Sequence, residues 1–210
     1  MSLRILLADD HMIVRQGLRA LLERAGFEIV AEATDGQEAV TLAEKTKPDV
    51  AVLDLMMPTL NGLDAGRQIL QMGRSTAIVL LTMHTDEHNV ARALRSGIRA
   101  YLLKTQAAED LVRAIHHVVR GQIFLSDAVS RVVVDGYLSG VQAPDDPLAP
   151  RERQVVQLVA EGRTSKEVAE ILGVTVKTAE SYRSHVMEKL DIHETAGLVR
   201  YAIRRGLVLP

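Results

Sequence analysis

Five short runs of nearly uninterrupted apolar residues alternate with helical patterns, and this alternation constrains the fold more than any other feature. The runs are Arg4–Asp9, Glu28–Ala33, Val50–Leu55, Ala77–Thr82 and Ala100–Lys104. Strands that are apolar on both faces are typical of parallel sheets covered by helices on each side. Between the runs, apolar residues recur at helical spacing, and the first such stripe ends at Gly26. The pattern predicts a doubly wound α/β domain with a five-stranded parallel sheet.

Composition narrows the possible classes of function. The 210 residues include no cysteine, which excludes disulfides, thiolate zinc sites and cysteine nucleophiles and favours a reducing compartment. The formal net charge is −2, and four Tyr, two Phe and no Trp are too few aromatics for a base-stacking platform. No apolar run approaches the roughly 20 residues of a membrane span, and the apolar N-terminal stretch meets two aspartates too early for a signal peptide. We expect a soluble, cytoplasmic protein without membrane contact.

The chain divides into two domains joined by a helix and a linker. A helix is expected from Ser126 to about Leu138, followed by Ser139–Pro150, which contains three prolines, a glycine and an acidic pair. Because Ser139–Pro150 has no apolar pattern that could form a buried face, the segment is typical of a linker. From Arg151 onward the pattern predicts four short helices and no strand. The predicted boundaries are residues 1–121 for the first domain, 122–150 for the helix and linker, and 151–210 for a small all-α domain.

Polar residues end four of the five predicted strands. They are Asp9 and Asp10, Asp54, Thr82 and Lys104. Ligands bind open α/β sheets beyond the carboxyl ends of the strands, so we expect these side chains to share one site. Two carboxylates about 4 Å apart repel by roughly 4 kcal/mol at an effective dielectric of about 20. Either some of them stay protonated or a hard cation neutralises them, and oxygen ligands with open positions suit Mg²⁺.

Each of these residues also has a simpler interpretation. Either aspartate of the pair can cap the first helix, Thr82 can be an ordinary β-branched strand residue, and Lys104 can be a solvated strand end. Their joint placement at neighbouring strand ends favours a functional site instead. Asp54 is flanked by apolar strand residues in VLDLM, which makes it the natural nucleophile for phosphoryl transfer.

The motifs ADD, DLMMPTLNG, LLT and YLLK, in this order and spacing, resemble the receiver domain of two-component response regulators. The resemblance covers Met1 to Gly121. It implies a flavodoxin-like fold in which Asp54 accepts a phosphoryl group. It also implies that Asp10, Asp54 and the Met56 carbonyl ligate Mg²⁺ and that Asp9 holds one of its waters. Lys104 and Thr82 are implied to contact the phosphoryl oxygens.

Three positions need separate comment within this resemblance. Lys104-Thr105 stands where the family often has Lys-Pro with a cis bond, so the geometry at this strand end is left open. His84 either flanks the acyl phosphate or is an exposed loop histidine. Tyr101 is implied to swing inward on phosphorylation, and its alternative is a half-buried strand aromatic.

Two short helices joined by a glycine turn are predicted in the C-terminal domain. Thr164 and Glu167 form a capping box at the start of one helix, Gly173 ends it, and Thr175 caps the next. The buried stripe of this next helix is Ala179, Tyr182, Val186 and Leu190. Its other face carries residues that can reach phosphates and base edges in a major groove: Lys177, Thr178, Glu180, Ser181, Arg183 and Ser184. The same face also suits the solvated side of any small helical bundle, and residues 151–210 have a net charge of only +2.

The run RERQVVQLVAEGRTSKEVAEILGVTVKTAESYRSHVMEKL resembles the LuxR-type helix-turn-helix, and its pairing with a receiver resembles the NarL/FixJ class. Ala149, Ala179 and Tyr182 stand where the family has Thr, Val and His, on the capping or packing side. Glu180 is awkward beside phosphate and can instead accept from cytosine N4. The resemblance implies that the last helix, from Thr195 to Arg205, forms a dimer contact. The residues assigned to its apolar face are Leu198, Val199, Ala202 and Ile203.

We therefore expect a transcription factor that is phosphorylated on Asp54 by a sensor histidine kinase with Mg²⁺. Phosphorylation is expected to promote a homodimer that binds double-stranded DNA, without turnover of an external substrate. Two alternatives stay open at this point: a Mg²⁺-dependent phosphatase or hydrolase, and a phospho-regulated adaptor that binds proteins only. A phosphatase would leave the helix-turn-helix unexplained and lacks the DxD pattern, because Leu55 and Met56 follow Asp54.

Overall fold

The structure, a computed structural model, describes residues 2–73, 75–83, 87–139 and 147–208. The chain divides into two compact units, residues 1–143 and 144–210. Each unit has a hydrophobic core of its own. Among the helices of the described ranges, none is long and apolar enough to cross a membrane.

The N-terminal unit is a parallel sheet with helices on both faces, which confirms the predicted fold class. Its strands are β1 (Arg4–Ala8), β2 (Glu28–Ala33), β3 (Val50–Asp54), β4 (Ala77–Thr82), β5 (Ala100–Leu103) and β6 (Phe124–Leu125). Its helices are α1 (Met12–Arg24), α2 (Gly36–Thr46), α3 (Gly62–Gln71), α4 (Glu87–Arg95), α5 (Ala107–Val118) and α6 (Asp127–Ser139), with a 3₁₀ turn at Lys104–Gln106. The strand order is β2-β1-β3-β4-β5-β6, and every neighbouring pair is parallel.

The sixth strand is a difference from the predicted five. Phe124 pairs with Ala100, and Leu125 pairs with Tyr101. Two residues are too few to show any periodicity, so the pairing is visible only once β5 lies beside them.

Strands β1, β3, β4 and β5 are mostly buried on both faces, as their composition predicts, whereas the edge strand β2 is mostly half-buried. Along β1, Ile5 and Leu7 pack in the core on one side of the sheet, whereas Leu6 and Ala8 pack on the other. Because successive side chains of a strand point to opposite faces, a run of apolar residues serves two helical layers at once. The polar residues that follow the runs are left at the sheet's carboxyl edge.

Helix α6 belongs to the N-terminal unit. It contacts α4 and β5, and Val129 is fully buried in the same core as Tyr101. The prediction that Ser139–Pro150 buries no residue was wrong at Leu148. This side chain is 3% exposed and lies in the core of the C-terminal unit. One apolar residue among prolines gives no periodicity from which burial could have been predicted. Residues 140–146 lie outside the described residues.

Four helices form the described part of the C-terminal unit: α7 (Pro150–Ala160), α8 (Ser165–Leu172), α9 (Val176–Lys189) and α10 (Thr195–Arg204). The capping box at Thr164 and Glu167 is confirmed, with both of its hydrogen bonds present. Gly173 follows α8 with a φ of 65°, a left-handed conformation that glycine adopts without strain. Thr175 then caps α9 by accepting a hydrogen bond from the backbone N–H of Thr178. A short glycine turn therefore joins α8 to α9, and the two helices pack together.

Candidate functional site

Strand register brings four of the predicted polar residues to one edge of the sheet. Ala8 pairs with Leu53, so Asp9 and Asp54 are the next residues on adjacent strands. Asp54 in turn pairs with Leu81, Thr82 pairs with Leu103, and Lys104 directly follows Leu103. Parallel strands place their carboxyl ends on the same side, and the polar residue after each apolar run therefore faces a shared pocket.

Lys104 lies between two carboxylates of this pocket. Its Nζ is 2.8 Å from Asp9 Oδ2 and 2.9 Å from Asp54 Oδ2. All three side chains are at least nine-tenths buried. Charge-assisted contacts of this length in a poorly solvated place are stronger than the same contacts at a surface. The lysine thus compensates part of the repulsion that the carboxylates would otherwise suffer.

The turn after β1 holds the remaining acidic group. Asp9 Oδ1 accepts a hydrogen bond of 2.9 Å from the backbone N–H of His11. His11 Nδ1 is 2.7 Å from Asp10 Oδ1, and Asp10 is exposed. The cap residue of α1 is His11, without a side-chain capping bond, so neither aspartate is the helix cap. The capping alternative for the acidic pair is therefore wrong.

Burial and charge shift two pKa values in the pocket. Burial raises the pKa of Asp54 to about 6, with a further increase from Asp9 and Asp10 and an opposing decrease from Lys104. For Lys104, burial disfavours the ammonium, but its hydrogen bonds to Asp9 and Asp54 outweigh this and leave its pKa raised. The lysine is therefore a permanent cation at neutral pH, and the carboxylates carry more negative charge than it neutralises.

The donor set fits a hard divalent cation. One ligand atom each of Asp9, Asp10, His11 and Asp54 lies within 4.8 Å of the others. Three of the four donors are carboxylate oxygens, the ligand type that Mg²⁺ prefers, and the exposed side of the cluster leaves positions for water. Burial, the main cause of the raised pKa of Asp54, and the nearby charges of Asp9 and Asp10 both make a cation favourable here.

Gly62, at the end of the loop between β3 and α3, packs closely against the backbone of Asp54. A Cβ on Gly62 would lie 2.0 Å from the Asp54 carbonyl oxygen, so only glycine fits there. Thr59 has a φ of 69°, which is uncommon for a β-branched residue. Asn61 caps α3 by accepting a hydrogen bond from the N–H of Asp64. Met56, whose carbonyl the resemblance assigns to the metal, is half-buried in this loop.

Thr82 and the three positions singled out within the first resemblance have different outcomes. Thr82 and Tyr101 are buried, and the Tyr101 side chain is fully enclosed rather than half-buried. In this structure the ring is therefore already inside the fold. Lys104-Thr105 enters the 3₁₀ turn, and all described peptide bonds are trans. His84 lies outside the described residues.

A second candidate site is the outer face of α9. Ala179 and Val186 are buried and Tyr182 is half-buried, as the predicted stripe requires. The residues predicted to meet DNA are exposed or half-exposed: Lys177, Thr178, Glu180, Ser181, Arg183 and Ser184. Two of them have local partners. Thr178 Oγ1 is 2.9 Å from Thr175 Oγ1, and Arg183 Nη2 donates to Thr195 Oγ1 at 2.6 Å.

Glu152 anchors α9 to α7, and sequence reasoning missed it. Its carboxylate accepts a hydrogen bond from the Ala149 N–H at 2.7 Å and one from Lys189 Nζ at 2.8 Å. His185 Nε2 is 3.3 Å from its other oxygen. Glutamate at the third position of a helix was the available signal, because this is where a capping box places it. Nothing local could show that Lys189 would meet the same carboxylate.

Two of the residues predicted for a dimer contact on the last helix are buried within their own unit. Leu198 is 1% exposed and Ala202 is fully buried, both in the core of their own unit. Their side chains are not accessible to a second copy of the chain, whereas Val199 is half-buried and stays partly accessible. Pairing of two copies through α10 stays a prediction, and its contacts would have to come from outside Leu198 and Ala202.

Comparison with known proteins identifies the family of each domain. The family described as response regulator receiver domain matches residues 5–116, and that described as bacterial regulatory proteins, luxR family, matches residues 146–202. The transcriptional regulatory protein LiaR of Bacillus subtilis is 37% identical over 98% of this chain and 99% of its own length.

Solved structures that cover nearly the whole chain are similar to it. The RcsB response regulator of Salmonella typhimurium has a TM-score of 0.59 at 29% identity, covering 95% of this chain and 97% of its own. A structure of two RcsB dimers bound to two parallel DNAs has a TM-score of 0.60 at 29% identity, covering 96% and 98%. This chain therefore belongs to the two-component response regulators that join a receiver domain to a LuxR-type DNA-binding domain, a family of transcriptional regulators rather than turnover enzymes.

Proposed function

We propose that this response regulator accepts a phosphoryl group on Asp54 from a sensor histidine kinase, with Mg²⁺ bound by Asp10, Asp54 and the Met56 carbonyl and, through a water, by Asp9. The phosphorylated form binds double-stranded DNA as a homodimer through α9. The observation that carries the proposal is the buried cluster in which Lys104 Nζ touches both Asp9 and Asp54. No packing role accounts for two carboxylates and an ammonium gathered at the end of three apolar strands.

The pocket supplies what phosphoryl transfer to an aspartate requires. A carboxylate oxygen of Asp54 attacks phosphorus, the bond from phosphorus to the donor's imidazole nitrogen breaks, and an acyl phosphate forms. Lys104 is placed to pair with a phosphoryl oxygen, and Thr82 to donate its hydroxyl to another. Bound Mg²⁺ supplies charge neutralisation for the phosphoryl oxygens. Burial raises the pKa of Asp54 to about 6, and a bound cation would lower it and so favour the ionised, nucleophilic carboxylate.

The metal ligands are assigned by position. Asp10 is exposed and Asp54 is 3% exposed, whereas Asp9 is fully buried. Asp9 would therefore hold a water of the metal, and the Met56 carbonyl would complete the protein's share of ligands. Tyr101 is enclosed in the same core as α6. A change of its side-chain position on phosphorylation would alter the neighbouring surface of the unit.

The DNA interface is assigned to the outer face of α9. Lys177 and Arg183 would contact phosphates, and Ser181, Ser184, Thr178 and Glu180 would meet phosphate or base edges. Arg183 keeps further N–H groups beyond the one that it donates to Thr195. Two copies on paired half-sites would place two α9 helices in successive major grooves.

The acceptor is tested by labelling. Wild-type protein in Mg²⁺ and acetyl phosphate should gain one phosphoryl group by mass spectrometry, and the gain should vanish in EDTA. Asp54→Asn should gain none, because its amide is not a nucleophile. Asp35→Asn is the matched control, since Asp35 caps α2 and asparagine caps equally well. Full labelling of Asp54→Asn would refute the assignment.

The DNA interface is tested by binding to duplex fragments, selected from genomic DNA with and without beryllofluoride as the phosphoryl mimic. Lys177→Ala should weaken binding and lower the salt slope by about 0.9 for the lost phosphate contact. Lys45→Ala, at an exposed lysine of α2, is the charge-matched control and should change neither. Equal affinity and slope for all three proteins, or no duplex bound at all, would favour a protein-binding adaptor.

A further inference from the structure

Asp9 is fixed at each of its four polar groups. Its backbone N–H donates to the Ala33 carbonyl at 3.2 Å, and its Oδ1 accepts from the N–H of His11 at 2.9 Å. Its Oδ2 lies 2.8 Å from Lys104 Nζ. The fourth group, the backbone carbonyl, accepts a hydrogen bond of 2.6 Å from Arg15 Nη1. Arg15 is thus the one side chain outside the pocket among these four partners.

The carbonyl of Asp9 lies just past the end of the sheet. Strand β1 ends at Ala8, which is the last residue of β1 in register with both β2 and β3. The N–H of Asp9 still finds a partner on β2, and Arg15 supplies the partner for its C=O. Arg15 therefore holds the first peptide group beyond the end of β1, the one that joins Asp9 to Asp10.

Arg15 is itself held in place from β2. Its Nε is 3.3 Å from Glu32 Oε2, and its side chain is 15% exposed. Glu32 pairs with Leu7 in the register of β1 and β2, two residues before Asp9. A guanidinium carries its donors on separate nitrogens in a rigid planar fork, so it can bind the Asp9 carbonyl and the Glu32 carboxylate at once in a fixed geometry. The chain of contacts runs from β2 through Glu32 and Arg15 to the backbone of Asp9.

We infer that Arg15 is a positioning residue for Mg²⁺ binding: oriented by Glu32, it fixes the peptide after Asp9 and with it the carboxylates of Asp9 and Asp10. The inference rests on the proposed function, because it concerns how tightly the same pocket binds its metal. Arg15 contacts neither the phosphoryl donor nor Asp54 in this role. Its loss should weaken metal binding without removing the chemistry, as loss of groups that orient metal ligands generally does.

Arg19 provides a matched control on the same helix. Its Nη1 is 2.6 Å from Glu32 Oε1, and its Nε is 2.9 Å from Glu23 Oε1. Arg19→Gln therefore removes a positive charge and a Glu32 ion pair, as Arg15→Gln does, but it leaves the Asp9 carbonyl bonded to Arg15. Any effect of bulk charge or of helix α1 should appear equally in both variants.

The first measurement is made without metal. Amide hydrogen exchange in EDTA reports whether the His11 N–H, which donates to Asp9, is released. We expect faster exchange at His11 in Arg15→Gln than in Arg19→Gln or the wild type. Equal exchange in all three proteins would overturn the inference, because the peptide after Asp9 would then be fixed without the arginine.

The second measurement is Mg²⁺ affinity of the full chain, by calorimetric titration, together with the rate of phosphorylation by acetyl phosphate over a range of Mg²⁺. We expect the Kd for Mg²⁺ to rise about 10-fold in Arg15→Gln and to change less than about twofold in Arg19→Gln. At saturating Mg²⁺ the phosphorylation rate should return to within about twofold of the wild type. An unchanged Kd, or a rate loss that persists at saturating Mg²⁺, would overturn the inference.

Glu32→Gln keeps the test decisive if Arg15→Gln unfolds. It retains Arg15 and its bond to Asp9 but removes the charge that orients the guanidinium, so a Kd increase of about threefold is expected. No increase in this variant would contradict the role of Glu32. Failure of the proposed function would look different, since wild-type protein would then take no phosphoryl group although Arg15→Gln still altered exchange at His11.

Discussion

Replacing Asp54 by asparagine should stabilise the metal-free protein. In the absence of metal, Asp54 is a carboxylate that is 3% exposed and lies near two other carboxylates. Lys104 compensates it only in part, because the same ammonium is shared with Asp9. Asparagine has nearly the same shape, keeps a carbonyl oxygen that can accept from Lys104, and carries no charge. Lys104 meanwhile keeps its contact with Asp9.

The size of the effect follows from the pKa of Asp54, which stands at about 6 against an ordinary value of 3.8. A raised pKa means that the fold favours the protonated form. The contribution of this group to stability is complete below about pH 4 and is lost as the pH rises through about 6. The pKa difference corresponds to about 3 kcal/mol at pH 7.5, an upper bound because an amide does not reproduce every contact of the protonated carboxyl. We expect a gain of about 1–3 kcal/mol, or roughly 3–10 °C in the Tm of the N-terminal unit.

The assay is thermal unfolding of the full chain in EDTA from pH 4 to pH 8. The advantage of Asp54→Asn should be largest above pH 7 and should vanish near pH 4. Adding Mg²⁺ should stabilise the wild type, since the metal binds only the folded site, and should stabilise Asp54→Asn much less. Asp35→Asn is the control and should stay within about 0.5 kcal/mol of the wild type throughout.

One result would refute this account of the pocket. If Asp54→Asn were less stable than the wild type at pH 7.5 in EDTA, the contact between Lys104 and Asp54 would outweigh the cost of burying the charge. The pocket would then be an ion pair that stabilises the fold, and its fit to a cation would lose its electrostatic basis.

Three further changes test other parts of the structure. Ala149→Thr should stabilise α7 by about 1 kcal/mol. Glu152 already accepts from the N–H of residue 149, and a threonine hydroxyl would add the second bond of a capping box by accepting from the Glu152 N–H. Slower amide exchange in α7 is the expected result, and unchanged exchange would contradict the prediction. Glu152→Gln should destabilise the C-terminal unit by about 1–2 kcal/mol at pH 7. Burial disfavours the Glu152 carboxylate, but Lys189 and the Ala149 N–H outweigh this and lower its pKa, so the difference should shrink as acid protonates the wild type; a constant difference would refute the charge effect. Thr59→Gly should raise the Tm by relieving a left-handed φ of 69°, for a net gain of about 0.5–1 kcal/mol; a lower Tm would show that contacts of the threonine side chain outweigh the strain.

Much of the fold could be predicted because its signals are local. Strand runs, helical stripes and terminal glycines each depend on a few consecutive residues, and the capping box at Thr164 appears as predicted. The convergence of Asp9, Asp54 and Thr82 also follows from sequence, since parallel strands must end at the same edge. The sixth strand at Phe124 could not be predicted, because two residues carry no period.

The roles of single side chains were harder to predict than their places in the fold. Leu198 and Ala202 lie on an apolar stripe that serves equally well for a dimer contact or for a core, and only their burial assigns them to the core. Tyr101 likewise could be half-buried or enclosed, and its enclosure depends on α6 packing over β5. A stripe shows that a face is covered but not what covers it.

The amino-acid sequence alone determined that two domains form, that one is a parallel sheet, and that acidic groups end its strands. These properties are periodic or positional, and the physical chemistry of neighbouring residues suffices for them. Tertiary structure alone decided that Lys104 touches both Asp9 and Asp54, that Arg15 holds the Asp9 carbonyl, and that Glu152 meets Lys189. Those contacts depend on how whole helices pack against the sheet or against each other, which is set by the summed burial of many side chains rather than by any motif.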